Sequence, residues 1–272
     1  MAGSDKGVPV LSGVYVYPIK SCGGISLEGA DLGVTGLLPD RRWMVVDEDG
    51  VSVTQRRHPR MALISPSLVP DGLVVRAPGM PDLEVPFEGE TGERLDVEVW
   101  GDAQRGAPVG AGADRWFARF LGSPCRLVRK PEDDVRLVDS AYARDGDQTS
   151  FADAFSLLVI SEASLEDLNG RLESPVSMDR FRPNLVVGGC EPYAEDGWEE
   201  IRTPDAVFRA AEPCPRCVIT TVDQSSGQRS KEPLRTLATY RKAEGEVWFG
   251  RNLIHASLGT VRVGDPVEVT PR

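Results

Sequence analysis

The sequence has few of the side chains that build disulfide scaffolds or zinc sites. It contains five cysteines and two histidines in 272 residues. Five is a small and odd number, which excludes a disulfide framework, leaves at least one free thiol and is typical of a reducing compartment. The two histidines, His58 and His255, each stand alone in the sequence.

Long apolar runs and a targeting segment are also lacking. The longest apolar run, residues 157–160, is far shorter than a membrane span, and the first ten residues contain no hydrophobic signal-peptide core. We therefore expect a soluble, cytoplasmic protein that is not exported and contacts no membrane.

Positive charge is in deficit. Lys and Arg total 31 against 42 Asp and Glu, so the net charge is −11 and the pI is about 4.8. The resulting field repels polyanions, which argues against nucleic acid or anionic lipid as a partner. An anionic ligand must instead be held by a few basic side chains that converge in a cleft.

The composition is that of a globular chain rich in turns. There are 28 Gly and 21 Pro without fixed spacing, and 40% of the residues are hydrophobic, which excludes disordered, collagen-like and repeat proteins. The first hundred residues alternate β-prone runs with turns, whereas a strand-to-helix unit from Phe155 marks a second region. We predict a two-lobed α+β protein, mostly β, with regions at residues 1–130 and 131–272.

Local patterns predict several individual elements. Apolar spacing favours a helix over residues 113–121 that ends at Gly122, and Ser161 is placed to cap a helix that runs to residue 172. Residues 218–222 are β-prone and predict a strand, and residues 233–241 predict a helix with proline at its first position.

The motif Cys214-Pro215-Arg216-Cys217 is the sharpest local feature. A C-x-x-C suits half a zinc site, a redox dithiol, a thiolate presented to a bound metal, or two small core residues. A zinc site would need a second pair of ligands, which the sequence does not provide. A redox dithiol is expected at the start of a helix, whereas a β-prone run follows Cys217. Arg216 beside the cysteine favours a thiolate and supplies donors for an anion.

Three other basic residues lie in strand or turn contexts. They are Lys20 in YPIKSC, Arg56 in VTQRR and Arg182 in FRPN. Each of them alone is typical of a solvated surface cation, because most Lys and Arg are exposed.

The motifs taken together resemble a known family. Seven motifs lie in order between residues 10 and 269. They are YPIKSC, VTQRR, LLVISEASLEDLNGRL, FRPNLVV, CPRCVITTVD, KEPLRTL, and a closing FG followed by VRVGDPV. In this order they resemble the MOSC family with its N-terminal β-rich region, and within it are similar to the mitochondrial amidoxime-reducing components and their bacterial homologues.

The resemblance implies a fold and a cofactor. The fold is a MOSC β-barrel with helices at residues 131–272, and a β-rich N-terminal region whose first fifty-six or so residues pack against it. The cofactor is molybdopterin-bound molybdenum, with Cys217 as the metal ligand and catalytic residue, since cysteine is a soft anionic ligand. Residues implied to hold the cofactor are Lys20, Ser21, Arg56, Ser156, Arg182, Asn184 and Arg216.

The implied activity is an oxidoreductase that reduces N-hydroxylated compounds, such as amidoximes and hydroxylamines, to the amidine or amine. Electrons would come from a separate ferredoxin-, flavodoxin- or cytochrome b5-like protein. Two alternatives stay open: a cofactor carrier or sulfur-transfer module related to molybdenum cofactor sulfurases, and a β-barrel binding domain without metal. The family also carries an association with pyridoxal phosphate binding. The chain departs from the family's pattern at two positions. Reductases of the family tend to have a hydroxyl residue just before the strand of the SEASL motif, whereas here Phe155 precedes Ser156. Pro215 replaces a serine that is common between the two cysteines.

The polar segment at residues 130–150 lacks a period and precedes the strand that the family places beside the cofactor. We predict that it is mobile, borders the cavity mouth and attracts a basic donor or a cationic substrate. The acids that would do so are Glu132, Asp133, Asp134, Asp145 and Asp147.

Overall fold

The computed structural model describes residues 8–87 and 92–272. The prediction that no targeting segment is present rests in part on residues 1–7, which lie outside this range. No helix within the described ranges is long and apolar enough to cross a membrane.

The described residues form nineteen mostly short strands, three α-helices and four 3₁₀ helices. The strands are β1 (Val10–Val16), β2 (Ile25–Leu27), β3 (Gly29–Gly33), β4 (Gly36–Leu37), β5 (Trp43–Val46), β6 (Ser65–Val69), β7 (Gly72–Arg76), β8 (Leu83–Pro86), β9 (Leu95–Val99), β10 (Asp102–Pro108), β11 (Arg126–Arg129), β12 (Leu157–Ser161), β13 (Leu185–Gly188), β14 (Trp198–Arg202), β15 (Val207–Pro215), β16 (Lys242–Ala243), β17 (Glu246–His255), β18 (Thr260–Arg262) and β19 (Glu268–Pro271). The helices are α1 (Ala111–Leu121), α2 (Glu162–Arg171) and α3 (Leu234–Leu237), with 3₁₀ helices at Pro59–Leu63, Met178–Arg180, Ala194–Gly197 and Val218–Thr221. The prediction of a mostly β, α+β protein is confirmed.

The largest sheet runs in the order β19-β14-β15-β17-β12-β13-β1-β2, with β16 beside β17. It rolls up until the chain ahead of β19 meets β1: the Leu11 N–H donates to the Asp265 carbonyl at 2.9 Å, and a single bridge joins Val10 to Pro266. No continuous ladder closes it within the described residues, so the expected β-barrel is a rolled, open sheet.

The N-terminal strands are built into this sheet. β1 pairs antiparallel with β13, and β3 pairs with β18 near the other end of the chain. Two further sheets, β5-β11-β10-β9 and β6-β7-β8, belong to the first part of the chain. The boundary expected at residue 130 stays a prediction, because the first strands are shared between both regions.

Two helices follow the sequence signals closely. α1 ends at Gly122, whose φ of 73° is the left-handed conformation that glycine adopts without a Cβ clash. α2 begins after Ser161, whose side chain accepts a hydrogen bond from the Ser164 N–H at 3.1 Å. Both predictions are confirmed, with ends shifted by one or two residues.

Two predicted elements are wrong. Val218–Thr221 form a 3₁₀ helix rather than a strand, and only Val222 keeps a single β-bridge, because the Thr220 and Thr221 hydroxyls bond back to the carbonyls three residues earlier. The helix predicted over residues 233–241 is the single turn α3, because the chain must enter the β16–β17 hairpin by Lys242.

Candidate functional site

A cavity of about 530 Å³ opens between the N-terminal strands and the C-terminal sheet. Seven of the eight residues predicted for the site line it, although they are spread over almost two hundred positions of the sequence. These are Lys20, Ser21, Arg56, Arg182, Asn184, Arg216 and Cys217.

Ser156 is the predicted site residue that the cavity wall does not include. Its side chain is 1% exposed, and its hydroxyl donates to the Leu253 carbonyl at 3.4 Å. Phe155 and Leu157, on either side of it in the sequence, belong to the cavity wall, whereas Ser156 does not. The hydroxyl therefore acts in the core rather than at the site.

Cys217 stands at the end of β15, where the chain enters the 3₁₀ helix Val218–Thr221. Its carbonyl accepts hydrogen bonds from the Thr220 N–H at 3.2 Å and from the Thr220 hydroxyl at 3.0 Å. The thiol is half-buried in the cavity wall. A tight turn thus fixes the backbone that carries the thiol.

The cation at the Cys217 thiol is Arg56, not the adjacent Arg216. The Arg56 Nη2 lies 3.2 Å from the Cys217 Sγ, a contact between residues 161 positions apart. Arg56 therefore donates a hydrogen bond to the sulfur, in the place that the sequence predicts for Arg216.

Arg216 turns its side chain into the cavity wall instead. Its Nε donates to the Phe249 carbonyl at 2.7 Å and its Nη1 to the Phe181 carbonyl at 3.0 Å. Its buried Nη2 finds no partner among the described residues. Two bonds therefore orient the guanidinium while one donor group is left for a ligand.

Cys214 lines the same cavity but in a different electrostatic setting. Burial raises the pKa of its thiol, and the charge of Arg216 opposes this only in part. Cys214 and Cys217 are both free thiols. In the described chain no three His, Cys, Asp or Glu side chains are gathered as a metal-binding group, so the zinc alternative finds no ligand set there.

Lys20 projects from the turn that ends the YPIKS motif. Its Nζ donates to the Phe151 carbonyl at 2.8 Å and forms an ion pair with Asp153. Burial lowers the pKa of Lys20, although Asp153 counteracts it. Burial also opposes the charge of Asp153, but Lys20 and Arg56 outweigh it and hold the pKa of this carboxyl below its ordinary value.

Arg182 combines a strained backbone with a buried charge. Its φ is 57°, its Nη1 donates to the Cys22 carbonyl at 2.6 Å, and its Cζ lies 4.2 Å from the Tyr17 ring centroid. Burial lowers the pKa of the guanidinium. Its buried Nη2 has no hydrogen-bond partner in the described chain, so this donor is left for an acceptor on a ligand.

Both ends of the Asn184 side-chain amide bond to the protein. Its Oδ1 accepts from the Arg41 guanidinium at 3.0 Å and from the Leu158 N–H at 3.3 Å, and its Nδ2 donates to the Tyr15 carbonyl at 3.1 Å. Asn184 thus links three segments of the chain beside the cavity, and one N–H of its Nδ2 is not used in these bonds.

Sequence reasoning missed several polar and aromatic residues of the cavity wall, among them Arg41, Trp100, Asp153 and Arg180. Arg41 lies in a charged run that is typical of solvent-exposed loops, and Asp153 lies in a segment without a period. Trp100 carried a usable signal, because a bulky residue directly before Gly101 in a tight turn is unusual.

The charges of the wall suit an anion. Six basic side chains face three acidic ones, Asp153, Glu212 and Glu246, which leaves a formal excess of three positive charges in a chain of net charge −11. Together with the two unpartnered guanidinium donors, this fits a phosphate-bearing group. The basic members are Lys20, Arg41, Arg56, Arg180, Arg182 and Arg216.

The prediction that residues 130–150 border the cavity mouth stays a prediction. None of them belongs to the cavity wall in the described chain, but Tyr142 contacts two wall residues: its ring packs edge-on against Phe155 with ring centroids 5.4 Å apart, and its hydroxyl donates to the Glu212 Oε2 at 3.0 Å. Four of the five acids are engaged in ion pairs, so the segment offers little free negative charge. The pairs are Glu132 with Arg42, Asp133 with Arg94, Asp134 with Lys130, and Asp147 with Arg209.

Comparison with known proteins gives matches along nearly the whole chain. Residues 8–124 match the MOSC N-terminal beta barrel domain, and residues 146–268 match the MOSC domain. Mitochondrial amidoxime-reducing component 1 of Xenopus laevis is 38% identical over 280 residues, covering 96% of this chain and 82% of that protein. The component 1 of Homo sapiens is 37% identical with the same coverage. Among solved structures, the YUAD protein from Bacillus subtilis covers 97% of both chains at 12% identity and a TM-score of 0.48.

Proposed function

The chain belongs to the MOSC family, in the group of the amidoxime-reducing components, and on this premise we propose that it reduces N-hydroxylated compounds with a molybdenum cofactor. The observation that carries the proposal is the pairing of one half-buried thiol, Cys217, with a cationic cavity. The thiol is a ligand for a soft metal, and the cations are partners for the phosphate of a pterin.

When bound, the molybdenum cofactor would supply the two-electron redox chemistry that removes oxygen from the N-hydroxyl group. The chain would hold it through the Cys217 sulfur, which the Arg56 Nη2 contacts at 3.2 Å. Arg182 and Arg216 each keep one buried guanidinium donor for an acceptor oxygen. Lys20 would contribute its charge to the same anion.

Reduction of an amidoxime to an amidine consumes two electrons and two protons and releases water. The electrons would come from a separate donor protein, so part of the surface near the cavity would be a transient docking site. Metal binding, pyridoxal phosphate binding and a cytoplasmic location stay predictions.

The decisive experiment measures molybdenum and pterin in the gently purified protein, together with turnover of benzamidoxime by reduced methyl viologen. We expect both components to be bound and one benzamidine to form for every two electrons consumed. Bound cofactor without turnover would favour the carrier alternative, and the absence of both would favour a binding domain without metal.

Cys217→Ser and Cys214→Ser form a matched pair for this experiment, since both thiols line the cavity three residues apart. We expect Cys217→Ser to abolish turnover and release molybdenum. Cys214→Ser should retain both, because the raised pKa of Cys214 keeps it a thiol. Equal losses in the two variants would restore the dithiol interpretation.

A further inference from the structure

The hairpin between β9 and β10 places a tryptophan where a small residue is favoured. Val99 pairs with Asp102, so Trp100 and Gly101 alone form the loop, with φ of 57° and 85°. Two positive φ angles are the pattern of a type I′ turn, which prefers Asn or Asp before Gly. A bulky residue in the left-handed region is strained, and such outliers cluster at functional sites.

The strained turn places the Trp100 side chain at the cavity, beside Arg56. The side chain lines the cavity although 59% of its surface is exposed. Its ring centroid lies 4.1 Å from the Arg56 Cζ, and the Arg56 Nη2 lies 3.6 Å from the Asp153 carboxylate. Arg56 thus contacts both the indole and the Cys217 Sγ, the latter at 3.2 Å.

An exposed indole at a cavity mouth has a large apolar face to offer. Stacking on Arg56 uses one face and leaves more than half of the side chain open. Exposed tryptophan is uncommon without a partner, and flat conjugated groups pack well on an indole. The stack on Arg56, which Asp153 holds in place through an ion pair, orients the ring.

We propose that Trp100 is a specificity-determining residue: its indole is an aromatic wall that stacks the flat, conjugated substituent of an N-hydroxylated substrate. The inference rests on the proposed function for the identity of the reacting group, and on the hairpin geometry for the preference. The chain should therefore favour aryl over small alkyl amidoximes.

The test compares benzamidoxime with acetamidoxime, which share the reacting group and differ in the ring. Dissociation constants are measured by calorimetry on cofactor-loaded protein without an electron donor, and kcat/KM with one. The variants are Trp100→Phe, which keeps an aromatic ring, and Trp100→Asn, which suits the turn. Trp248→Phe, a half-buried tryptophan outside the cavity wall, is the matched control.

We expect Trp100→Asn to weaken benzamidoxime binding by roughly three- to tenfold, the range of an aromatic pair, and to leave acetamidoxime binding within about twofold. Trp100→Phe should retain most of the preference, and Trp248→Phe all of it. The melting temperature of Trp100→Asn should equal or exceed that of the parent, because the turn strain is relieved.

Equal weakening for both amidoximes would overturn the proposal, because Trp100 would then merely position Arg56. Unchanged binding of both would overturn it as well. If the parent protein binds benzamidoxime selectively but reduces neither compound, the aromatic wall stands and the proposed function fails. The two failures are therefore distinguishable.

Discussion

Arg182 has an unfavourable backbone conformation and a buried charge, and contacts with the rest of the fold compensate for both in part. A left-handed φ and a buried guanidinium are both unfavourable for an isolated residue. The Cys22 carbonyl and the Tyr17 ring compensate the buried charge in part. The remaining unpartnered donor points to a ligand that completes the compensation.

Arg182→Asn removes this charge while keeping a residue that tolerates the left-handed region. Losing a charge-assisted hydrogen bond costs about 1.5–3 kcal/mol, so we expect cofactor affinity to fall about ten- to hundredfold. Molybdenum and pterin content after dialysis is the measurement. The control is Arg202→Asn, since Arg202 lies on β14 outside the cavity wall and pairs with Glu200 at 2.6 Å. Full content with a raised KM would move Arg182 to the substrate side.

Single residues were predictable to the extent that motifs named them. Seven of the eight predicted residues line one cavity, yet no local pattern could show that Arg56 rather than Arg216 meets Cys217. That contact depends on how two distant segments pack. The unusual turn at Trp100 could be read from the sequence, but its contact with Arg56 could not, because it too depends on how distant segments pack.

Elements follow the same division between local and distant causes. The cap of α2 was predictable, since a serine that bonds the N–H three residues on is a local interaction. The 3₁₀ helix after Cys217 was not predictable, because hydrogen bonds of its threonine side chains within the turn outweigh the β propensity of its residues. The approach of the two ends of the rolled sheet was likewise beyond local patterns, since a single bridge joins Val10 to Pro266.

The α2 cap makes a prediction about stability. Ser161 is fully buried and contacts the Ser164 hydroxyl at 2.7 Å in addition to capping the helix. We expect Ser161→Ala to lower the free energy of unfolding by about 1–2 kcal/mol, measured in urea. Ser65→Ala, at an exposed strand position, should change it by less than about 0.5 kcal/mol. A similar loss in both variants would show that the cap bond is dispensable.

At the scale of the whole molecule, the two regions share one core. Six of the seventeen residues in the main buried cluster precede residue 130 and come from β1, β3 and β4. Burial of this apolar surface is the main stabilising contribution to the rolled sheet. The six are Leu11, Val14, Val16, Ala30, Leu32 and Leu37.

We therefore expect a fragment of residues 131–272 to lack a cooperative unfolding transition when it is made alone. Without β1 and β3, the edges of β13 and β18 are unpaired and the apolar cluster is open to water. Urea unfolding followed by tryptophan fluorescence is the measurement, and co-production of residues 1–130 should restore the transition. A cooperative transition of the fragment alone would show that the C-terminal domain folds independently.

The placement of the cavity between these two regions has a consequence for how long the protein survives. A ligand that touches both walls binds only the assembled chain, and by mass action a ligand at a hundred times its dissociation constant stabilises that state by about 2.7 kcal/mol. Proteases cleave the transiently opened form, whose population falls with that free energy. The abundance of this protein should therefore follow the supply of its ligand, with empty copies removed first.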